Sequence, residues 1–434
     1  MKKICNVLLI STFLVSALGA QISFSKVTDA EPVKKIGDWR SVNWIDYNND
    51  GWLDLFISQG PEIGANNALF KNNKNGTFTT ITNDPIVSDK APSDGATWGD
   101  YDNDGNIDCF VVNWYGVNNL LYKNNGNGAF TQITSGNLVN DGGYSETASW
   151  GDYDNDGFLD FYVANSDGNK RNFLYHNEKN GTFSKITSGA LVTDAFSSRS
   201  VNWVDIDGDG DLDLFVTNES NQNENLYRND GSGSFTKITN SPLVQDGKNT
   251  MSSSWGDYDN DGDLDVFLAN DKSDNALFNN DGKGNFTKIT SGIVVTDGGN
   301  TFGSQWGDLD NDGDLDLIAT NSFSGGPWKN FAYLNDGAGS FEKVTTGSLV
   351  EDLGWSYGCA LGDYDKDGDL DIAIAGCYNG SDYNSLYKNE TQGKKWIQIK
   401  LVGVTTNKSA IGSKVRVKSF LYHYRRQPVD NSYQ

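Results

Sequence analysis

One nine-residue pattern, Asp-x-Asp/Asn-x-Asp-Gly-x-x-Asp, recurs seven times in this 434-residue chain and constrains its fold more than any other feature. The first residues of the copies are Asp46, Asp100, Asp152, Asp205, Asp257, Asp308 and Asp363, so the period stays between 51 and 55 residues. Self-similarity at a fixed spacing of this size marks a repeat architecture in which each copy builds one supersecondary unit. Six copies carry Trp two residues before the first Asp (Trp44, Trp98, Trp150, Trp203, Trp255, Trp306), and the seventh carries Leu361. A residue that returns in copy after copy serves the shared scaffold, so these tryptophans are read as packing between units.

Each period reads as four short strands. One run ends in Trp-x-Asp, and after the acidic loop comes an alternating apolar run such as Leu212 to Val216. A Leu-Tyr-x-Asn segment follows (Leu121-Tyr122, Leu174-Tyr175, Leu226-Tyr227, Leu386-Tyr387). A turn rich in Asn and Gly then leads to a run opening on Phe78, Phe130, Phe183, Phe235, Phe286 or Phe341. The runs are rich in β-branched and aromatic residues, are bounded by Gly and Asn, and show no sustained helical period. The expected fold is all-β: a seven-bladed β-propeller over residues 21–392 with one acidic loop per blade, followed by a short partial β domain over 393–434. Phe24 to Val27 resembles the outermost run but precedes the first loop. It is expected to complete the last blade and close the ring, which removes exposed strand edges.

The loops have the chemistry of a hard-cation site. Ca²⁺ accepts an irregular shell of six to eight oxygens, and acids at positions one, three and five of a tight loop converge on one point. Gly at position six permits the turn, and Asp at position nine closes the shell earlier than the Glu at twelve of a helix-loop-helix site. The candidate ligands are Asp46, Asn48, Asp50 and Asp54; Asp100, Asp102, Asp104 and Asp108; Asp152, Asp154, Asp156 and Asp160; Asp205, Asp207, Asp209 and Asp213. The last three sets are Asp257, Asp259, Asp261 and Asp265; Asp308, Asp310, Asp312 and Asp316; and Asp363, Asp365, Asp367 and Asp371. These account for 27 of the 58 acidic residues, and so many carboxylates packed in register would repel one another without a counter-ion. About seven Ca²⁺ ions are expected, with the site containing neutral Asn48 the weakest. Mg²⁺ suits the pattern less well because it prefers rigid octahedral geometry. With only His176 and His423 in the chain, no Cys/His cluster points to a transition metal.

The first twenty residues read as a signal peptide: Lys2 and Lys3, an apolar stretch from Ile4 to Leu18, and small residues to Ala20. An uncleaved anchor is the alternative, and no later stretch is apolar enough to span a bilayer. The remaining Cys109, Cys359 and Cys377 cannot all pair, although Cys359 and Cys377 flank one expected hairpin; Cys109 is read as a small buried hydrophobe. A formal charge of −24 argues against phosphate-mediated binding of nucleic acid.

The repeats resemble FG-GAP/VCBS repeats, the calcium-loop propeller units also found in integrin α-chain heads. The tail from Trp396 to Leu401 and from Asn407 to Val415 resembles the opening of an ASPIC/UnbV domain, and the sequence departs from that pattern after about Val417. Repeats followed by ASPIC/UnbV are similar to the cartilage acidic protein family and its bacterial relatives. The resemblance implies a secreted, extracellular calcium-binding protein.

If the acidic loop joins the first and second strands, the longer and more varied connections open on the opposite face. Examples are Gln59 to Asn67, Asn113 to Asn119, and Asn321 to Asn330. Variable loops on a rigid scaffold are where recognition concentrates. The chain is therefore expected to be a monomeric, non-enzymatic binding or adhesion module for an extracellular protein or glycan, with Trp114, Tyr115 and Trp328 as candidate contacts. The alternative is a polysaccharide lyase or hydrolase on a propeller scaffold, which needs a positioned acid, base or nucleophile. No catalytic residues are singled out.

Overall fold

The computed structural model describes residues 22–323, 326–391, 399, 401–403 and 407–411. The expected signal peptide, most of the 393–434 segment and His423 lie outside the described residues. Seven four-stranded antiparallel blades form a ring, as the period requires. In the second blade the strands Ser93–Gly99, Asp108–Asn113, Leu120–Asn124 and Phe130–Ile133 pair in sequence order from the inside out. The acidic loop joins the first to the second strand in every blade.

The ring is closed at two places. Phe24–Lys26 pairs antiparallel with Ser385–Asn389, Phe24 opposite Asn389, and supplies the outermost strand of the seventh blade as expected. The first inner strand, Ile36–Ile45, also pairs with Asp371–Tyr383, which places Asp38 opposite Cys377. These pairings merge the first and seventh blades into a single eight-stranded sheet. Cys377 is a free thiol there, its Sγ donating to Asp38 Oδ1 at 3.1 Å and accepting from Arg40 Nη1 at 2.7 Å. Cys359 is likewise free, because the register sets it opposite Ile374 rather than Cys377. Cys109 is fully buried between the first two blades.

The core lies between blades. One cluster joins Val204, Phe215 and Leu226 of the fourth blade to Val266, Leu268 and Phe278 of the fifth. The tryptophans stack on a tyrosine of the preceding blade: Trp150 on Tyr101 (6.2 Å), Trp203 on Tyr153 (6.0 Å), Trp306 on Tyr258 (6.2 Å) and Trp44 on Tyr364 (5.5 Å). This approach explains the glycine just before four of the loops. A Cβ on Gly151 would sit 2.6 Å from Trp203 Cδ1, and one on Gly362 2.8 Å from Trp44 Cδ1. Where Ile45 and Val204 fill that position, the next tryptophans, Trp98 and Trp255, meet Phe56 and Phe215 edge-on instead.

Between blades the chain makes a single helical turn, for example Asn137–Val139, Ala190–Thr193 and Pro242–Val244. Each of these turns buries an apolar pair such as Leu191 and Val192. Beyond two of them the Asp binds the strand tyrosine, Tyr175 Oη donating to Asp141 at 2.6 Å and Tyr227 Oη to Asp194 at 2.9 Å, whereas Asp246 pairs with Lys288 because the strand holds Phe278.

Replacing Gly151 by Ala forces overpacking against Trp203. It is expected to destabilise the protein by about 1–3 kcal/mol. Thermal unfolding followed by circular dichroism checks this; an unchanged midpoint would mean that the inter-blade seam yields without cost.

Candidate metal centres and the axial cavity

Each loop is shaped by its own first acid. Asp100 Oδ1 accepts from the Asp104 N–H at 3.0 Å and Oδ2 from the Gly105 N–H at 2.8 Å, and Asp46, Asp152, Asp308 and Asp363 repeat the arrangement. The fifth acid turns the chain again by accepting from the N–H of position seven, as Asp156 does from Phe158 at 3.0 Å. Gly105, Gly210 and Gly313 at position six have φ of 91°, 93° and 101° with open space where a Cβ would point. Their glycine is therefore demanded by backbone conformation, not by room.

The ninth acid links the loop to the ring. Its Oδ1 accepts the backbone N–H of the Asn that ends the third strand, at 2.7–2.9 Å in all seven blades. The Nδ2 of that Asn donates across the seam to the carbonyl of loop position two in the preceding blade, at 2.6–2.8 Å in all seven seams. In six blades the position-two N–H donates in turn to Oδ2 of its own ninth acid, as Ile206 does to Asp213 at 2.9 Å. The result is a circumferential hydrogen-bond chain through the loops. In the first blade Asn48 Nδ2 binds Asp54 Oδ2 at 3.2 Å in place of that N–H.

The structure gathers the sequence-derived acids. Oxygens of Asp100, Asp102 and Asp108, of Asp205, Asp207 and Asp213, and of Asp257, Asp259 and Asp265 each lie within 4.8 Å of one another. The buried ninth-position carboxyls are pushed far above the usual range, first by desolvation, with the other loop acids adding to it. Asp54, Asp213 and Asp316 rise to about 7, and Asp108, Asp160, Asp265 and Asp371 to about 8. The acids at position three of five loops, Asp102, Asp154, Asp207, Asp259 and Asp365, each hold one carboxylate oxygen away from solvent with no hydrogen bond. Buried, unpartnered anionic oxygens in a carboxylate cluster fit a hard cation, which the acids at positions one, three, five and nine would hold.

The third strand brings a further residue to the loops that the spacing of the acids did not reveal. Lys123 pairs with Asp102 and Asp104, and Lys388 with Asp365 and Asp367. Asn279 Nδ2 donates to Asp259 at 2.8 Å. In the third blade the equivalent residue is His176, which corrects the expectation that no histidine accompanies the clusters. The tail also reaches the loop face: the Lys408 N–H donates to Asn103 Oδ1 and the Asp100 N–H to Ser409 Oγ, both at 2.8 Å.

At the opposite end of the ring an axial cavity of about 290 Å³ opens among the starts of the inner strands. Its wall is one repeated slot, six residues before each loop: Arg40, Asp94, Glu146, Arg199, Met251, Phe302 and Tyr357. Arg199 Nη1 binds Glu146 Oε2 at 2.6 Å and Nη2 donates to Tyr357 Oη at 2.7 Å, while Arg40 Nε lies 3.5 Å from Asp94 Oδ1. Burial drives the Asp94 carboxyl well up beside Glu146. Glu146 is raised by burial too, but Arg199 and the hydrogen bonds from Asp94, Ser166 and Trp114 outweigh it and hold it below the usual range. Trp114 and Tyr115 line the mouth as the loop argument expected; Trp328 pairs with Gly354 and stands behind the wall, its Nε1 donating at 3.0 Å to the carbonyl of Phe323, which lines the cavity.

The FG-GAP-like repeat matches residues 46–111, 100–163, 152–216, 205–268, 257–319 and 321–374. Cartilage acidic protein 1 of Xenopus tropicalis is 29% identical over 198 residues, 43% of this chain and 30% of that protein. The mouse protein of the same name is 30% identical over 176 residues, 38% of this chain and 27% of that protein, so the match spans less than a third of either relative. An Agrocybe aegerita lectin that recognises non-reducing terminal N-acetylglucosamine shares the fold, with a TM-score of 0.51 and 19% identity over 72% of this chain and 81% of the lectin.

The metal-free pH dependence follows from the ninth-position acids. They ionise near pH 4 unfolded but hold protons to about pH 7–8 folded, so their contribution is complete below about pH 4 and is lost as pH rises to about 8. In EDTA the melting midpoint is expected to be lower at pH 8 than at pH 5, and millimolar calcium should abolish or invert that order. A midpoint that climbs with pH in EDTA would contradict the burial of these acids.

Proposed function

This chain belongs to the FG-GAP-like repeat family, and on that premise we propose that it is a secreted, calcium-loaded monomeric propeller. In this reading it binds an extracellular protein or glycan without turning it over. Each loop holds one Ca²⁺ through its acids at positions one, three, five and nine, and the ion neutralises carboxylates that would otherwise repel one another. Dissociation constants on the order of 10⁻⁴ to 10⁻³ M are expected, as for other extracellular calcium modules. The leader from Met1 to Ala20 fits export.

The observation that carries the binding reading is the axial slot. The position before it is Ser or Thr in six blades and the position after it is Ser, Thr or Gly in all seven, while the slot itself runs Arg, Asp, Glu, Arg, Met, Phe, Tyr. Large, chemically varied side chains at a cavity-lining position between small neighbours are what a recognition surface on a shared scaffold requires. Guanidinium and carboxylate groups beside the rings of Trp114, Tyr115 and Phe302 suit a polyhydroxylated ligand, with hydrogen bonds at its edges and C–H faces on the aromatics. Recognition of a terminal sugar by the lectin of similar fold makes sugars the first ligands to try.

One observation favours the enzymatic alternative. Asp94 and Glu146 share a hydrogen bond at the cavity, one driven to hold its proton and the other to lose it, which is how acid and base partners are set apart in hydrolases. Their engagement by Arg40 and Arg199 favours binding.

A glycan array and an extracellular-protein screen in calcium-replete buffer test both readings. Trp114→Ala and Tyr115→Ala are expected to weaken capture on the order of tenfold each, with calcium affinity unchanged. Capture insensitive to the cavity variants contradicts the axial site, and release of reducing ends from a captured polysaccharide would establish the alternative.

A further inference from the structure

The next-to-last residue of each third strand lies beside its own loop, and the seven blades fill that place with Lys71, Lys123, His176, Arg228, Asn279, Leu334 and Lys388. Only the third blade places an imidazole there. His176 Nδ1 lies 3.2 Å from Asp160 Oδ1 and 3.4 Å from Asp154 Oδ2. It is shielded from solvent and hydrogen-bonds with neither oxygen, and Asp154 Oδ1 is buried and unpartnered beside it. With a neutral imidazole these contacts are no ion pair, and the ligand atoms of His176, Asp154 and Asp160 all lie within 4.8 Å of one another, around one common point.

The spacing identifies what fits that point. Tetrahedral zinc has bonds of about 2.0–2.2 Å to nitrogen and oxygen, which puts neighbouring ligand atoms roughly 3.3–3.5 Å apart. The two separations from His176 agree with this, and the third-loop oxygens stay within 4.8 Å of one another. Ca²⁺ selects oxygen alone, whereas imidazole suits borderline divalent metals. We infer that the third blade is a distinct metal centre that takes a zinc-like divalent ion through His176, Asp154 and Asp160, with Asp152 or Asp156 available for a further bond. The inference rests on the loops being cation sites and separates one of them from the other six.

The test uses the full-length chain dialysed against micromolar zinc in millimolar calcium, with both metals counted by mass spectrometry. The variant is His176→Asn, which installs the residue that Asn279 provides at the same place in the fifth blade; His176→Leu, after Leu334, is the second. One zinc per wild-type chain is expected, with that equivalent lost from both variants and a zinc-induced rise in melting midpoint seen in wild type alone. Equal midpoints of wild type and variants in calcium alone show that the fold is intact. No retained zinc, or retention equal in wild type and variants, overturns the proposal. The calcium count in the same samples reports separately on the calcium reading.

Discussion

Carboxylate repulsion, and what relieves it, governs this molecule. A ring that places an acid cluster at the same corner of every blade gathers negative charge along one rim, where burial strips it of solvent. The chain answers in two ways. Lys123 and Lys388 lay ammonium groups on the third and fifth acids of their loops. The buried ninth acids hold protons to about pH 7–8 without a metal. Neither device satisfies the buried oxygens of Asp102, Asp154, Asp207, Asp259 and Asp365. A divalent ion in each loop would satisfy those oxygens and discharge the ninth acids together.

The same acids hold the ring together, so metal chemistry and architecture are one system. Each ninth acid positions the Asn of its third strand, and that Asn grips the loop of the blade before it, the seam from Asn72 to Tyr364 included. Disturbance at one loop is therefore felt at the next through two hydrogen bonds and a peptide. Asn48 is the exception: its amide occupies Asp54 in the first blade, the blade that is also latched to the seventh by strand pairing. The circuit is thus altered inside the first blade, while the closing seam keeps both its Asn72 staple and the strand pairing.

Much of this was legible in the sequence because the determinants are local and repeated. Seven copies of a nine-residue loop fixed the number of blades and the candidate ligands, and Phe24 to Val27 announced the closing strand. What escaped has a physical reason in each case. The single turns such as Ala190–Thr193 are too short to show a helical period, although their paired apolar residues repeat. The staple by Asn229 joins residues from different blades, and nothing in Leu-Tyr-x-Asn distinguishes a strand residue from a bridge to Tyr153. His176 is 16 residues from Asp160 and meets it only through strand register; the signal was that Lys123 and Lys388 stand at the same place in their repeats. The axial cavity was also written in the period, as a slot of large, varied residues between small ones.

Anomalous diffraction from crystals grown in millimolar calcium addresses the central claim most directly. The account predicts one peak in every loop, about 2.3–2.6 Å from oxygens of positions one, three and five, with the lysines of the second and seventh blades displaced from their acids. Loops without density at saturating calcium, or Lys123 and Lys388 still seated on the carboxylates, would contradict it.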